Sequence, residues 1–240
     1  MTPEAIQGWL AVVGGVLAAL LGIFKYFNYR SKRDLRAAVG ASFASTVDAL
    51  SSDNETSRMA GAVLLRRFFD RRTEQGAAGT PYVTEAIELI AGMLREEQPP
   101  RIQKVLADGL RYAIDLRRAD LQNCDLRNAY IGMKRGDRRG VDLSAADLFE
   151  SDCAGASFRK VVALKTVFYR ARLEGAVLTD ADCRDADFRE AKLMGAMFDG
   201  AQIEGARFAG AEGIPVEVAN LLDEHKVGRP GAVVPSAGSQ

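Results

Sequence analysis

The sequence predicts a mainly β chain: a repetitive solenoid preceded by a transmembrane helix and a small α-helical region. Three observations predict it. A period of five runs from Ile114 to about residue 213, a spacing that fits neither a helix nor an alternating strand. An uncharged run extends from Gly8 to Phe24, and between the two lie apolar residues at helical spacing. At 240 residues there is ample length to bury a core. Lysine plus arginine (32) equals aspartate plus glutamate (32), so overall charge points to no class of partner.

Residues 1–30 read as an N-terminal transmembrane anchor. The Gly8–Phe24 run, with Ile6 before it and Phe27 after, is long enough to cross a hydrocarbon layer of roughly 30 Å as a helix. Trp9 marks one interface and Tyr26 and Tyr29 the other. Lys25, Arg30, Lys32 and Arg33 follow, whereas only Glu4 precedes. Positive charge stays inside, so the expectation is a single-pass integral protein of a bacterial-type inner (plasma) membrane. Its N-terminus lies outside and the bulk of the chain is cytoplasmic. A signal peptide would carry the charges in the opposite order. Gly14, Ala18 and Gly22 form a small-residue face suited to self-association into a homo-oligomer; the alternative is that small residues are simply common in membrane helices.

Residues 31–113 read as an α-helical stalk. Ser52 with Glu55 forms a capping box ahead of Met59, Val63, Leu64 and Phe68 on one helical face. Thr80 and Pro81 open a second helix with Ile87, Ile90 and Leu94 inward. Pro99-Pro100 opens a third, through Ile102, Leu106 and Leu110. Helices this short need packing to persist, so they should lie against the first turn of the repeat.

From Ile114 the chain reads in fives: Ala119-Asp120-Leu121-Gln122-Asn123, Cys124-Asp125-Leu126-Arg127-Asn128, Ala146-Asp147-Leu148-Phe149-Glu150, Ala186-Asp187-Phe188-Arg189-Glu190. A small residue comes first, a polar one second, a large apolar one third, then two that are mostly polar or glycine. Cys124, Cys153 and Cys183 occupy small or central positions and share no metal-ligand or redox spacing, so they read as reduced core residues.

These units resemble the A(D/N)Lxx repeats of the pentapeptide-repeat family over about residues 114–212. The resemblance implies a right-handed quadrilateral β-helix with about four pentapeptides per coil and the first and third residues inward. Short strands would then stack at about 4.8 Å. Pro215–Glu224 should form a capping helix within residues 214–226, and residues 227–240 a disordered tail.

Between Ile131 and Leu143 the spacing of centres is twelve instead of ten. Counting two added residues places Leu148 over Leu126, and Lys134 to Gly140 as a loop on one face. Arg117, Arg118, Lys134, Arg135, Arg138, Arg139, Arg159 and Lys160 then form a basic patch suited to anionic lipid headgroups, nucleic acid or an acidic protein surface. The alternative is a solvated loop. On the next face the same count stacks Arg127, Phe149, Tyr169 and Arg189, aromatics framed by arginines as in binding hot spots.

No nucleophile–base motif, phosphate-cradling glycine loop or metal cluster is present, so the chain is not read as an enzyme and needs no cofactor. The expected role is a tethered scaffold presenting the repeat to a cytoplasmic protein partner or an anionic membrane surface. A membrane-associated effector or component of a stress or defence system is the alternative. The family resemblance also implies a DNA-mimic modulator of a type II topoisomerase. That role needs an acidic rod, and acidic and basic residues nearly balance here, so nucleic-acid mimicry and binding are disfavoured.

Overall fold

The computed structural model describes residues 25, 30, 33–70, 73, 82–113, 115–133 and 140–224. The chain divides into two compact units, Met1–Ala44 and Ser45–Gln240. In the first, residues 33–44 are helical and the exposed Arg30 and Asp34 lie 3.9 Å apart.

In the second unit, helices span Glu55–Leu65, Tyr82–Leu94, Pro100–Gly109 and Val216–Glu224, with 3-10 turns at Arg66–Phe68 and Leu110–Tyr112. The Glu55–Leu65 helix is capped by Asn54, whose side chain accepts from the Ser57 amide at 3.0 Å. Ser52, expected as the cap, instead accepts from the Asn54 amide at 3.2 Å and braces the capping residue. Pro99 and Pro100 set the entry to the third helix, where the missing amide hydrogen costs nothing. Leu65, Phe68, Ile90, Leu94, Ile102, Leu106 and Leu110 are buried and form the helical core.

Beyond the helices the repeat forms a stack of coils. The second residue of each unit forms a parallel bridge with its counterpart in the next coil, as in Asp142–Val162, Asp147–Val167, Asp152–Arg172 and Ser157–Val177. Each bridge is held by two backbone bonds; Leu121 donates to the Asp147 carbonyl at 2.8 Å and Asp147 to the Ala119 carbonyl at 2.9 Å. The third residue then opens a β-turn, closed by bonds such as Ala119 N–H to the Leu116 carbonyl at 3.1 Å. The second turn residue sits at positive φ, +57° at Arg118 and +55° at Asn128.

The expected mainly β class with strands and a transmembrane helix is therefore corrected. Among the described residues every named element is a helix, and the repeat contains isolated bridges but no strand. The reason is the unit length. Two of every five residues turn the corner, so pairing stops after one residue and no ladder develops.

The membrane placement is corrected too. Among the described residues no helix is long and apolar enough to cross a membrane. The Tyr82–Leu94 helix has 13 residues, against roughly 20 needed. The Gly8–Phe24 run, with Gly14, Ala18 and Gly22, lies outside the described residues.

Inward residues build four columns that define four faces. The first holds Leu116, Leu143, Ala163, Cys183 and Ile203; the second Leu121, Leu148, Phe168, Phe188 and Phe208. The third holds Leu126, Cys153, Leu173 and Leu193; the fourth Ile131, Phe158, Leu178 and Phe198. Phe168, Phe188 and Phe208 stack with centroids 5.0 Å apart at each step. Burial pushes the Cys124 and Cys153 thiols up to about 12 and Cys183 higher still, so all three are inert apolar fillers.

The register across the loop differs from the count by centres. Asp115 pairs with Asp142, twenty-seven positions on, where later coils repeat every twenty. The first coil is complete at Ile131 and the loop is added to it, so Leu148 lies over Leu121 and Leu126 under Cys153. Gly132 and Gly140 flank the loop. A Cβ on either would collide with the backbone of Arg159 or Lys160, so only glycine lets the chain leave and rejoin this close to the next coil.

Candidate interaction surfaces

Outward side chains are positioned by the aspartate in the second place of many units. Its Oδ1 accepts from the amide two residues on, at 2.9 Å in Asp147–Phe149 and 3.1 Å in Asp125–Arg127, and so fixes the turn. Where an arginine stands two residues on, it folds back bidentately. Arg117 on Asp115, Arg127 on Asp125, Arg184 on Asp182 and Arg189 on Asp187 share this geometry. Asp187 is the most buried, its side chain 6% exposed, with Arg207 at 3.1 Å as a second partner. Burial alone would raise its carboxyl, but the Arg189 bonds and the Arg207 charge win and hold it below the usual range. Hydrogen bonding from Arg127 likewise lowers Asp125. These aspartates are neutralised by their own chain and do not form a free acidic surface.

The most distinctive outward group lies on the second face. Phe149 and Tyr169 occupy the fourth position of stacked units, their rings 5.6 Å apart and tilted 34°. Arg170 lies 5.0 Å and Arg189 5.3 Å from the Tyr169 ring centre. The Tyr169 hydroxyl donates to Glu190 at 3.1 Å, and Arg170 bridges Glu190 at 2.7 Å and Glu150 at 3.5 Å. Hydrogen bonding from Arg170 and Tyr169 lowers the Glu190 carboxyl. Both rings are half-buried, so the set is fixed in place and still reachable.

Of the expected aromatic set, Phe149, Tyr169 and Arg189 come together and Arg127 does not. The loop shifts Arg127 to the third face, where Ala154 follows it in the column, and Gln122 takes its place beneath Phe149. Arg170 and Glu190 were missed by the sequence reading. The alternation Glu150, Arg170, Glu190 at twenty-residue spacing is the signal that would have found them.

The basic set is only partly brought together. Lys134, Arg135, Arg138 and Arg139 lie outside the described residues. Arg159 and Lys160 follow the fourth face beside the loop's flanks, each 3.9 Å from Asp180. Arg117 and Arg118 sit around the corner after the first face, and Arg117 is held by Asp115 at 2.7 Å. Among the described residues no group of three or more histidine, cysteine, aspartate or glutamate side chains could hold a metal.

The helical region covers the first coil's open side through polar groups. Asp125 N–H donates to the Leu94 carbonyl at 2.7 Å and Tyr130 N–H to Asp108 at 2.7 Å. Arg95 donates to the carbonyls of Gln122 and Asp120, and Gln103 to those of Asp125 and Arg127. An edge that would invite pairing is thereby closed.

Fold and surface together define a capped repeat coil that displays fixed side-chain columns. Residues 171–210 match the family model for pentapeptide repeats, with 8 copies. No curated protein matches. Among solved structures it is similar to a pentapeptide repeat protein, Rfr23, from the cyanobacterium Cyanothece 51142. Identity is 23%, covering 41% of this chain and 63% of that one, with a TM-score of 0.37. It is also similar to a pentapeptide repeat protein from the Arabidopsis thaliana thylakoid lumen, with 23% identity, 52% and 75% coverage and a TM-score of 0.28. A third is full-length QnrB1, a plasmid-mediated fluoroquinolone resistance protein, with 23% identity, 40% and 59% coverage and a TM-score of 0.22. The chain thus spans less than two thirds of the first and third of these.

Proposed function

We propose that the repeat region is a non-catalytic protein-binding module whose contact surface is the second face around Phe149 and Tyr169. The observation that carries this reading is the ring pair at 5.6 Å with Arg170 and Arg189 against Tyr169. Rigid aromatics beside arginines are the groups on which interface energy concentrates, because they bury much area and lose little side-chain freedom on binding. Catalysis has no support in this surface, since its carboxylates and guanidiniums are spent on one another. Asp125, Asp182 and Asp187 give acidic mimicry no support either, since each is clamped by an arginine of the same chain.

Affinity capture with the full chain tests the reading, comparing wild type with Phe149→Ser/Tyr169→Ser and with Met194→Ser on the third face. Thermal melts would confirm that all three fold. A partner retained by wild type and Met194→Ser but lost with the double variant supports the proposal. A partner retained equally by all three overturns it.

A further inference from the structure

The fourth face differs from the others in carrying no charge at its outward bridge positions. These are Tyr130, Ser157, Val177 and Met197, and Arg111 of the cap lies 5.2 Å over the Tyr130 ring. Ser157, Val177 and Met197 remain, with Met197 44% exposed. The corner leading onto this face carries Ala154-Gly155, Glu174-Gly175 and Met194-Gly195 in its turns, with Glu174 3.6 Å from Arg172 of the same chain. The corner leading off it changes sign along the stack. The second coil has Arg159 and Lys160, the third Thr179 and Asp180, the fourth Asp199 and Gly200. Arg159 and Lys160 are 54% and 43% exposed and reach Asp180 only loosely, at 3.9 Å each. Such exposed pairs contribute little and are readily exchanged for other partners.

A neutral strip edged by charge of one sign at one end and the other sign at the opposite end is complementary to itself inverted. We propose that this fourth face docks on the same face of a second copy, related by a two-fold axis through the third coil. Val177 then lies on the axis, Ser157 faces Met197, and Arg159 and Lys160 of each copy face Asp199 of the other. Asp180 falls near the axis and shares Arg159 and Lys160 of its own copy with Asp199 of the other. A parallel arrangement in register would set Arg159 and Lys160 against Ala154-Gly155 and gain nothing electrostatically. The face is narrow, so the association is weak, as for interfaces below about 1,200 Å², and it weakens as salt screens the paired charges.

Sedimentation velocity over a concentration series of the full chain tests this at low and high salt. Wild type should associate reversibly, less so at high salt. Arg159→Glu/Lys160→Glu and Asp199→Lys should each weaken association by about tenfold or more, because every reversal acts at two symmetric places. An equimolar mixture of the two charge-reversed variants should recover it, since opposite charges again face one another. Val177→Arg should abolish it alone and in any mixture. Wild type that stays monomeric throughout overturns the proposal, as does association unchanged by these substitutions or a mixture that fails to recover. Should Arg159→Glu/Lys160→Glu lose its fold in thermal melts, Asp199→Lys and Val177→Arg still decide the matter.

Discussion

The two ends of the repeat are closed in different ways. At the first coil the helical region reaches the backbone itself: Leu94, Arg95, Gln103 and Asp108 bond to groups between Asp120 and Tyr130. The inner residues there, Leu121, Leu126 and Ile131, are fully buried. The last coil is followed by the Val216–Glu224 helix, in which Val218 is buried. The amides of Phe198, Ile203 and Phe208 have no further coil to bond to, and Met194 and Val216 stand 72% and 71% exposed. One end is a joint built into the fold; the other is a lid. The lesson is that a repeat of five-residue units gains cooperativity only from neighbours, so stability should decline toward the end with fewer bonds.

The largest test of this contrast is truncation of stacked phenylalanines. Phe188→Ala should cost about 4 kcal/mol in urea denaturation, since its ring is fully buried and stacks on both sides. Phe208→Ala, stacked on one side only near the lid, should cost clearly less, and equal losses would break the comparison. Gln103→Leu should cost about 2 kcal/mol by leaving the carbonyls of Asp125 and Arg127 unmet at the joint.

Asp187→Asn should cost a similar amount, about 2 kcal/mol at neutral pH, by weakening bonds to Arg189 and Arg207. Because the folded carboxyl titrates below its unfolded value near 3.9, its contribution is present above that pH and is lost as pH falls through the lower folded value. Acid unfolding of the variant should therefore be less steep below pH ~4 than that of wild type. The smallest pair concerns the helix cap: Asn54→Ala should cost about 1 kcal/mol, and Ser52→Ala only a few tenths.

Much of the repeat was legible because a period of five with fixed small and apolar places leaves only one way to turn residues inward. Its class was not, because unit length says where the corners fall but not whether one bridged residue makes a strand. The loop register was also hidden. A twelve-residue gap between Ile131 and Leu143 fits either a lost unit with two extra residues or a complete coil with seven, and only the Asp115–Asp142 bridge decides. That single choice moved Arg127 off the aromatic face. Ser52 and Asn54 illustrate the same limit at short range, since both can cap and only the geometry selects between them.

Hydrogen exchange resolved to single amides tests the contrast between the two ends most directly. Asp125 and Tyr130, bonded to Leu94 and Asp108, should exchange as slowly as Phe168 in the middle of the stack. Phe198, Ile203 and Phe208 should exchange markedly faster through local opening of the last coil. First-coil amides exchanging as fast as these, or last-coil amides as protected as Phe168, would contradict it.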